Sequence, residues 1–211
     1  MMLGARTAAW SGKQLPYLRR VAYLESDGAQ IIKFPVISKS NASFELDMQS
    51  DYFGIESPLV DTHQIRNFVS VGQKMKMRVW NLQEFSNYGS LSFLWNENWV
   101  NGYKVHLDGG FHMIGIGYID FQGGRHQAVM RVDRQDVLFH SFPTTWDSGL
   151  QEFKVYGITF KIRSLSYAVA GEINVDAIPV LDLSGRPAMY DEVSGQFFYN
   201  QGTGEFTWGE L

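Results

Sequence analysis

The sequence predicts an all-β domain, a sandwich or barrel, from three observations. Short segments alternate apolar and polar residues with a period of two, the pattern of half-buried strands. Turn chemistry rich in Gly, Asp and Ser separates those segments,. Aromatics make up 15% of the chain, with 15 Phe, 10 Tyr and 6 Trp, and aromatic side chains favour a pleated, half-buried surface. No ten-residue window carries a convincing period of 3.6.

Residues 1–17 read as an amino-terminal arm and 18–211 as a single β-sandwich domain. The large apolar residues of 1–14 are Met1, Met2, Leu3 and Trp10. It fits either a frayed terminus or an arm that anchors Leu3 and Trp10 on a partner chain. It holds no continuous apolar run of about 7–15 residues, so no signal peptide is expected.

Strand patterning starts at Leu18 and is clear where Val21, Tyr23 and Glu25 alternate with Ala22 and Leu24. Ser26-Asp27-Gly28 is a turn signal, and Ile31-Ile32-Lys33-Phe34 resumes an extended run. Pro35 is expected to close that run and to mark an edge or terminal strand, because proline cannot donate to a ladder. Phe44, Leu46 and Met48 share one strand face. Val69, Val71, Met75, Met77 and Val79 predict two strands around Gly72-Gln73, and 91–95 predicts another. Segments 104–107, 113–121, 127–132 and 137–142 continue the series. Residues 153–162 read as one strand whose apolar face is the even-numbered set, Tyr156, Ile158, Phe160 and Ile162. Asp133-Arg134-Gln135-Asp136 reads as a hairpin turn. Neither a fixed-period repeat nor a low-complexity linker interrupts the chain, which predicts one domain.

Composition excludes several classes. With no Cys among 211 residues, disulfide scaffolds and thiolate zinc sites drop out. The formal charge is -4, from 18 Lys+Arg and 22 Asp+Glu, and no basic run stands out. Nucleic acid is therefore not expected as a partner. No apolar stretch approaches the roughly 20 residues of a membrane helix, so membrane insertion is not expected. No Gly-x-Ser-x-Gly elbow, Walker loop or dinucleotide fingerprint is present,.

The carboxy-terminal forty residues are the most distinctive. Ile178-Pro179 leads to a Ser184-Gly185 turn, then Met189-Tyr190-Asp191, a Val193-Ser194-Gly195 turn, Phe197-Phe198 and Gly202-Thr203-Gly204. This is a run of tight hairpins. Near the start stands Tyr23-Leu24-Glu25-Ser26-Asp27-Gly28-Ala29-Gln30. Together these motifs resemble the concanavalin A-like, laminin G-like β-sandwich domains common in bacteriophages and gut bacteria. Those domains often open with a Tyr-Ile-Glu-Ser-Thr-Gly-Thr-Gln motif. The two motifs bracket 21–209, nearly the whole chain. The resemblance implies a two-sheet antiparallel jelly roll of the lectin/glucanase type. It also implies a place on a virion or at a cell surface. As a signal of function it is weaker, because the motifs are strand-and-turn hardware.

Sandwiches of this kind also resemble laminarinase-type glycoside hydrolases, which carry Glu-x-Asp-x-x-Glu or a one-residue variant on a single strand. Here Glu45 and Asp47 share a face, but Gln49 stands where the last carboxylate belongs. Glutamine cannot give and recover a proton, so no enzyme is expected, and the segment reads as a solvent-facing strand edge. The resemblance also makes calcium conceivable as a cofactor, through oxygens of residues such as Asp108, Asp120, Asp133 and Asp136. No spacing selects a ligand set, and no cofactor is assigned. The histidines, His63, His106, His112, His126 and His140, do not form a metal-binding pattern either.

The best binding candidate is the segment holding Trp95, Asn96, Asn98, Trp99, Asn101 and Tyr103. Aromatic faces stack on sugar C–H groups while amides hydrogen-bond hydroxyls. The same pattern also fits a strand–loop–strand whose Trp residues enter the core. Trp146, after Pro143-Thr144-Thr145, is a second candidate platform. The expected function is non-catalytic, lectin-like recognition of a glycan or cell-surface ligand. The rival is a virion structural or assembly protein, joined to other virion proteins through its arm or to copies of itself as a homo-oligomer.

Overall fold

The structure, a computed structural model, describes residues 15–51, 65–81, 89–96, 98–104, 110–121, 125–142 and 147–211. The described strands begin with β1 (Tyr17–Arg20), β2 (Tyr23–Ser26), β3 (Ile32–Lys39) and β4 (Ala42–Gln49). Then come β5 (Ile65–Val71), β6 (Met75–Asn81), β7 (Gly89–Trp95) and β8 (Asn98–Lys104). Next are β9 (His112–Phe121), β10 (Arg125–Val132), β11 (Gln135–Phe142) and β12 (Asp147–Val155). The last are β13 (Phe160–Val169), β14 (Glu172–Asp182), β15 (Pro187–Asp191), β16 (Phe197–Phe198) and β17 (Thr207–Gly209).

These strands form a two-sheet antiparallel sandwich. The larger sheet has 11 strands on the path β11-β10-β9-β4-β13-β14-β15-β16, with β1, β2 and β17 attached to it. The smaller sheet has 6, in the order β3-β12-β5-β6-β7-β8. Alternation turns Phe44, Leu46, Ile114, Ile116 and Leu165 of the large sheet toward Phe34, Val71, Met77, Phe93 and Phe153 of the small one. Phe153 lies at the centre. It stacks on Phe34 at 4.7 Å and meets Phe44 edge-on at 5.4 Å. Tyr167, buried in the large sheet, donates its hydroxyl across the gap to the Ile37 carbonyl at 2.7 Å.

Several expectations change. Pro35 does not close its strand. It sits in the middle of β3, whose position at the end of the sheet confirms the edge reading and spares the missing N–H,. Residues 153–162 are not one strand. β12 ends at Val155, Gly157 takes φ +75°, and β13 starts at Phe160 in the other sheet. The buried set is therefore odd-numbered in β12 (Phe153, Val155) and even-numbered at the start of β13 (Phe160, Ile162). β4 is not a strand edge either, because it lies between β9 and β13. Tyr17, taken as part of the arm, opens β1 opposite Asp182 of β14. Residues 1–14 of the arm lie outside the described residues, as does 105–107 of the strand expected at 104–107.

The two motifs that carry the family resemblance are clasped to each other. Asn200 Oδ1 accepts from Ile31 N at 2.9 Å and Gly202 N at 2.7 Å. Gln201 N donates to Ile31 O at 3.0 Å, and Thr203 N donates to Ala29 O at 3.1 Å. Ser26 Oγ and Asp27 N both donate to Gln30 Oε1 at 2.9 Å, fixing the opening turn. The buried Asp191 carboxylate organises the turn after β15. It accepts from the backbone N–H of Asp176, Val193 and Ser194, and from the Ser194 hydroxyl at 2.5 Å.

Candidate functional site on the outer face of the smaller sheet

β7 and β8 form a hairpin. Asn96 occupies its turn at φ +46° and donates its N–H to Lys74 O at 2.7 Å. Asparagine tolerates this left-handed conformation better than most residues. The register pairs Trp95 with Asn98 and Leu94 with Trp99. Paired residues share a face and neighbours alternate, so Trp95 and Trp99 stand on opposite faces of the sheet. Trp95 is fully buried and lies 5.6 Å from the Phe142 ring. It is a core residue and cannot meet a ligand.

Trp99 belongs to the outer face and is half-buried. Met75, Met77 and Val79 fill the inner face of β6, which leaves Lys76 and Arg78 pointing outward. The Arg78 guanidinium carbon lies 3.5 Å from the Trp99 ring centroid. A cation stacked at this range contributes roughly 0.5–2 kcal/mol and fixes the indole plane. Burial lowers the Arg78 pKa, although a guanidinium stays charged at neutral pH. Ser92 pairs with Arg78 across β6 and β7 and is fully buried, and its hydroxyl has no hydrogen-bond partner. Lys76 pairs with Leu94 and donates to Gln73 Oε1 at 2.8 Å. The result is an aromatic surface bordered by two cations, set on paired strands rather than on a mobile loop.

Sequence reasoning found Trp99 but missed Lys76, Arg78 and Ser92. The signal was present in the period-two pattern, where these polar residues fill the outward positions opposite a Met-rich inner face. Asn98, Asn101 and Tyr103 lie in β8, with Asn98 opposite Trp95 and Tyr103 opposite Leu91. The second expected platform, Trp146, lies outside the described residues.

The other candidate chemistry is held in internal contacts. Glu45 and Asp47 lie on the outer side of β4, half-buried. Desolvation raises the Asp47 pKa, against the lowering effect of nearby Arg163. Among the calcium candidates, Asp133 accepts from Met113 N and contacts His112 Nδ1 at 2.8 Å, while Asp136 pairs with Arg131 at 2.8 Å. Neither fits an open cation site. No group of three or more metal-ligating side chains occurs among the described residues. His126 Nδ1 is 2.7 Å from the Tyr118 hydroxyl. A polar cleft at one end of the sandwich is lined by Glu25, Ser26, Asp51 and Thr159. Its groups bond to each other, with Thr159 Oγ1 on Asp51 at 3.2 Å and Lys161 Nζ 3.6 Å from Glu25.

No family model matches the chain. No curated protein matches it either. Among solved structures it is similar to the legume lectin-like domain from Entamoeba histolytica. That match has a TM-score of 0.42 and 9% sequence identity, and covers 74% of this chain and 88% of the other.

Proposed function

We propose that this protein is a non-catalytic, lectin-like recognition module that binds a glycan, displayed on a virion or at a cell surface. One observation carries the reading. Trp99 presents an indole on the outer face of a sheet, held in place by Arg78 at 3.5 Å. A fixed aromatic plane flanked by hydrogen-bonding groups is the minimal surface that recognises a sugar ring. Strand-borne side chains hold their positions better than loop-borne ones. The non-catalytic part rests on Gln49, which fills the place of a third carboxylate beside Glu45 and Asp47.

The test is a glycan array followed by calorimetry on the hits. Trp99→Ala is expected to weaken binding at least tenfold, while Trp99→Phe retains part of it. A folded protein with no hit across neutral and charged glycans overturns the proposal.

The assembly reading has one observation in its favour. Ile37 and Leu150 face each other across β3 and β12 with 44% and 69% exposure. An obligate oligomer by light scattering that dissociates on Leu150→Lys, together with an empty array, favours assembly over recognition.

A further inference from the structure

The outer face of the smaller sheet differs in charge from the chain as a whole. Lys33, Lys76, Arg78 and Lys154 point outward there, alternating with buried Ile32, Phe34, Met75, Met77, Val79, Phe153 and Val155. Glu152 is on the same face. It is held between Lys33 and Lys154, and their hydrogen bonds lower its pKa. With Lys39 and Asp147, which pair at the same edge, cations outnumber carboxylates by five to two among these seven described side chains, on a chain whose formal charge is -4. Both carboxylates sit toward the β3–β12 edge, each paired with lysine there, while Lys76 and Arg78 border Trp99.

Such a segregated positive field raises the local concentration of anions. A guanidinium presents a planar fork matched to a carboxylate and can stack on an aromatic ring at the same time. Resting on the glycan reading above, we infer that the ligand is an anionic glycan of the uronic- or sialic-acid type. The sugar ring packs against the face of the Trp99 indole that Arg78 leaves uncovered, and Arg78 and Lys76, at its border, hold the carboxylate. Nucleic acid offers the same sign of charge. The overall acidity of the chain favours the sugar, as does a site with one indole among the described side chains of this face rather than a track of stacking aromatics.

The deciding measurement compares polygalacturonate with its methyl ester, which has the same backbone but neutralised carboxylates, by calorimetry on the full chain. The array of neutral, uronate and sialate glycans is read alongside. The acid form should bind at least tenfold tighter than the ester, or sialosides should outrank their desialylated forms by that margin. Raising NaCl from 50 to 200 mM should narrow the gap. Arg78→Gln and Lys76→Gln should each reduce the acid-to-neutral ratio several-fold. Lys161→Gln, on the other sheet, should leave it unchanged. Because Arg78 is half-buried and its loss could unfold the chain, thermal melts accompany each variant and Lys76→Gln serves as the milder probe. Equal affinity for charged and neutral forms, or tighter binding of single-stranded DNA than of any glycan, overturns the anionic-glycan inference. Neutral glycans binding through Trp99 would leave the lectin reading standing, whereas no glycan binding at all overturns both.

Discussion

Gly202→Ala tests whether the clasp between the two ends of the chain holds the fold. A Cβ at this position would lie 2.0 Å from Ala29 O and 3.0 Å from Ala29 C, both backbone atoms. That is more than 1 Å inside van der Waals contact, roughly 3.3 Å for carbon and oxygen, and no side chain can rotate away to relieve it. The turn must move off the 26–31 segment. The bonds Thr203 N to Ala29 O, Gln201 N to Ile31 O and Ile31 N to Asn200 Oδ1 then lengthen or break. At a net value of about 0.5–1.5 kcal/mol each, three bonds amount to about 3 kcal/mol. Ordinarily, Gly→Ala at a permitted φ stabilises by about 0.4–1 kcal/mol through the unfolded chain, so the net expectation is a loss of about 2–3 kcal/mol. For a chain of this size that is about 4–12 °C in Tm. Differential scanning calorimetry on wild type and Gly202→Ala reads it directly. Gly171→Ala is the control, because its Cβ would meet nothing within 4 Å and only its φ of +82° opposes the change. A Gly202→Ala protein melting at or above wild type refutes the clasp.

Other outcomes follow from the same geometry. Trp95→Ala should destabilise by about 3–5 kcal/mol, as for a large aromatic lost from a core, and leave glycan affinity unchanged in the fraction that folds; denaturant titration with parallel calorimetry checks both. Asp182 accepts from the Ser184 hydroxyl, the N–H groups of Ser184 and Arg186, and the Tyr199 hydroxyl, which hold its pKa down at about 2. A depressed carboxylate stabilises the fold fully above the usual carboxylate range and loses that contribution as pH falls toward about 2. Asp182→Asn should therefore cost about 1 kcal/mol at pH 7, after discounting for solvent screening. Melts at pH 7 and pH 2 should show that gap closing in acid.

Much of the fold was legible because a period-two pattern reports burial directly. Phe44, Leu46 and Met48 share a face in the sequence and share the core in the structure. The pattern fails where the chain changes sheet. Residues 153–162 alternate without a break, yet Gly157 turns the chain between layers and reverses which parity is buried. Alternation says that one face is inside but not which one, and a one-residue change in phase inverts every side chain. Pro35 misleads for a related reason: it marks a strand edge, but along the sheet rather than along the chain.

The same ambiguity decided how much of the candidate site could be read. Trp95 and Trp99 lie four residues apart, and on an unbroken strand an even spacing would place them on one face. A hairpin lies between them, so the relevant relation is the pairing of Trp95 with Asn98 and of Trp99 with Leu94. Composition treats both residues as aromatic and offers both as platforms. Register sends one to the core and leaves the other to be held by Arg78. Arg78 was invisible as a site residue because its cue is not a motif but its place opposite Met77 and Val79 in the strand pattern. A binding surface built on strands is therefore written in the polar residues that alternate with the core. Its aromatic residue gains specificity only from the outward neighbours that pairing brings beside it.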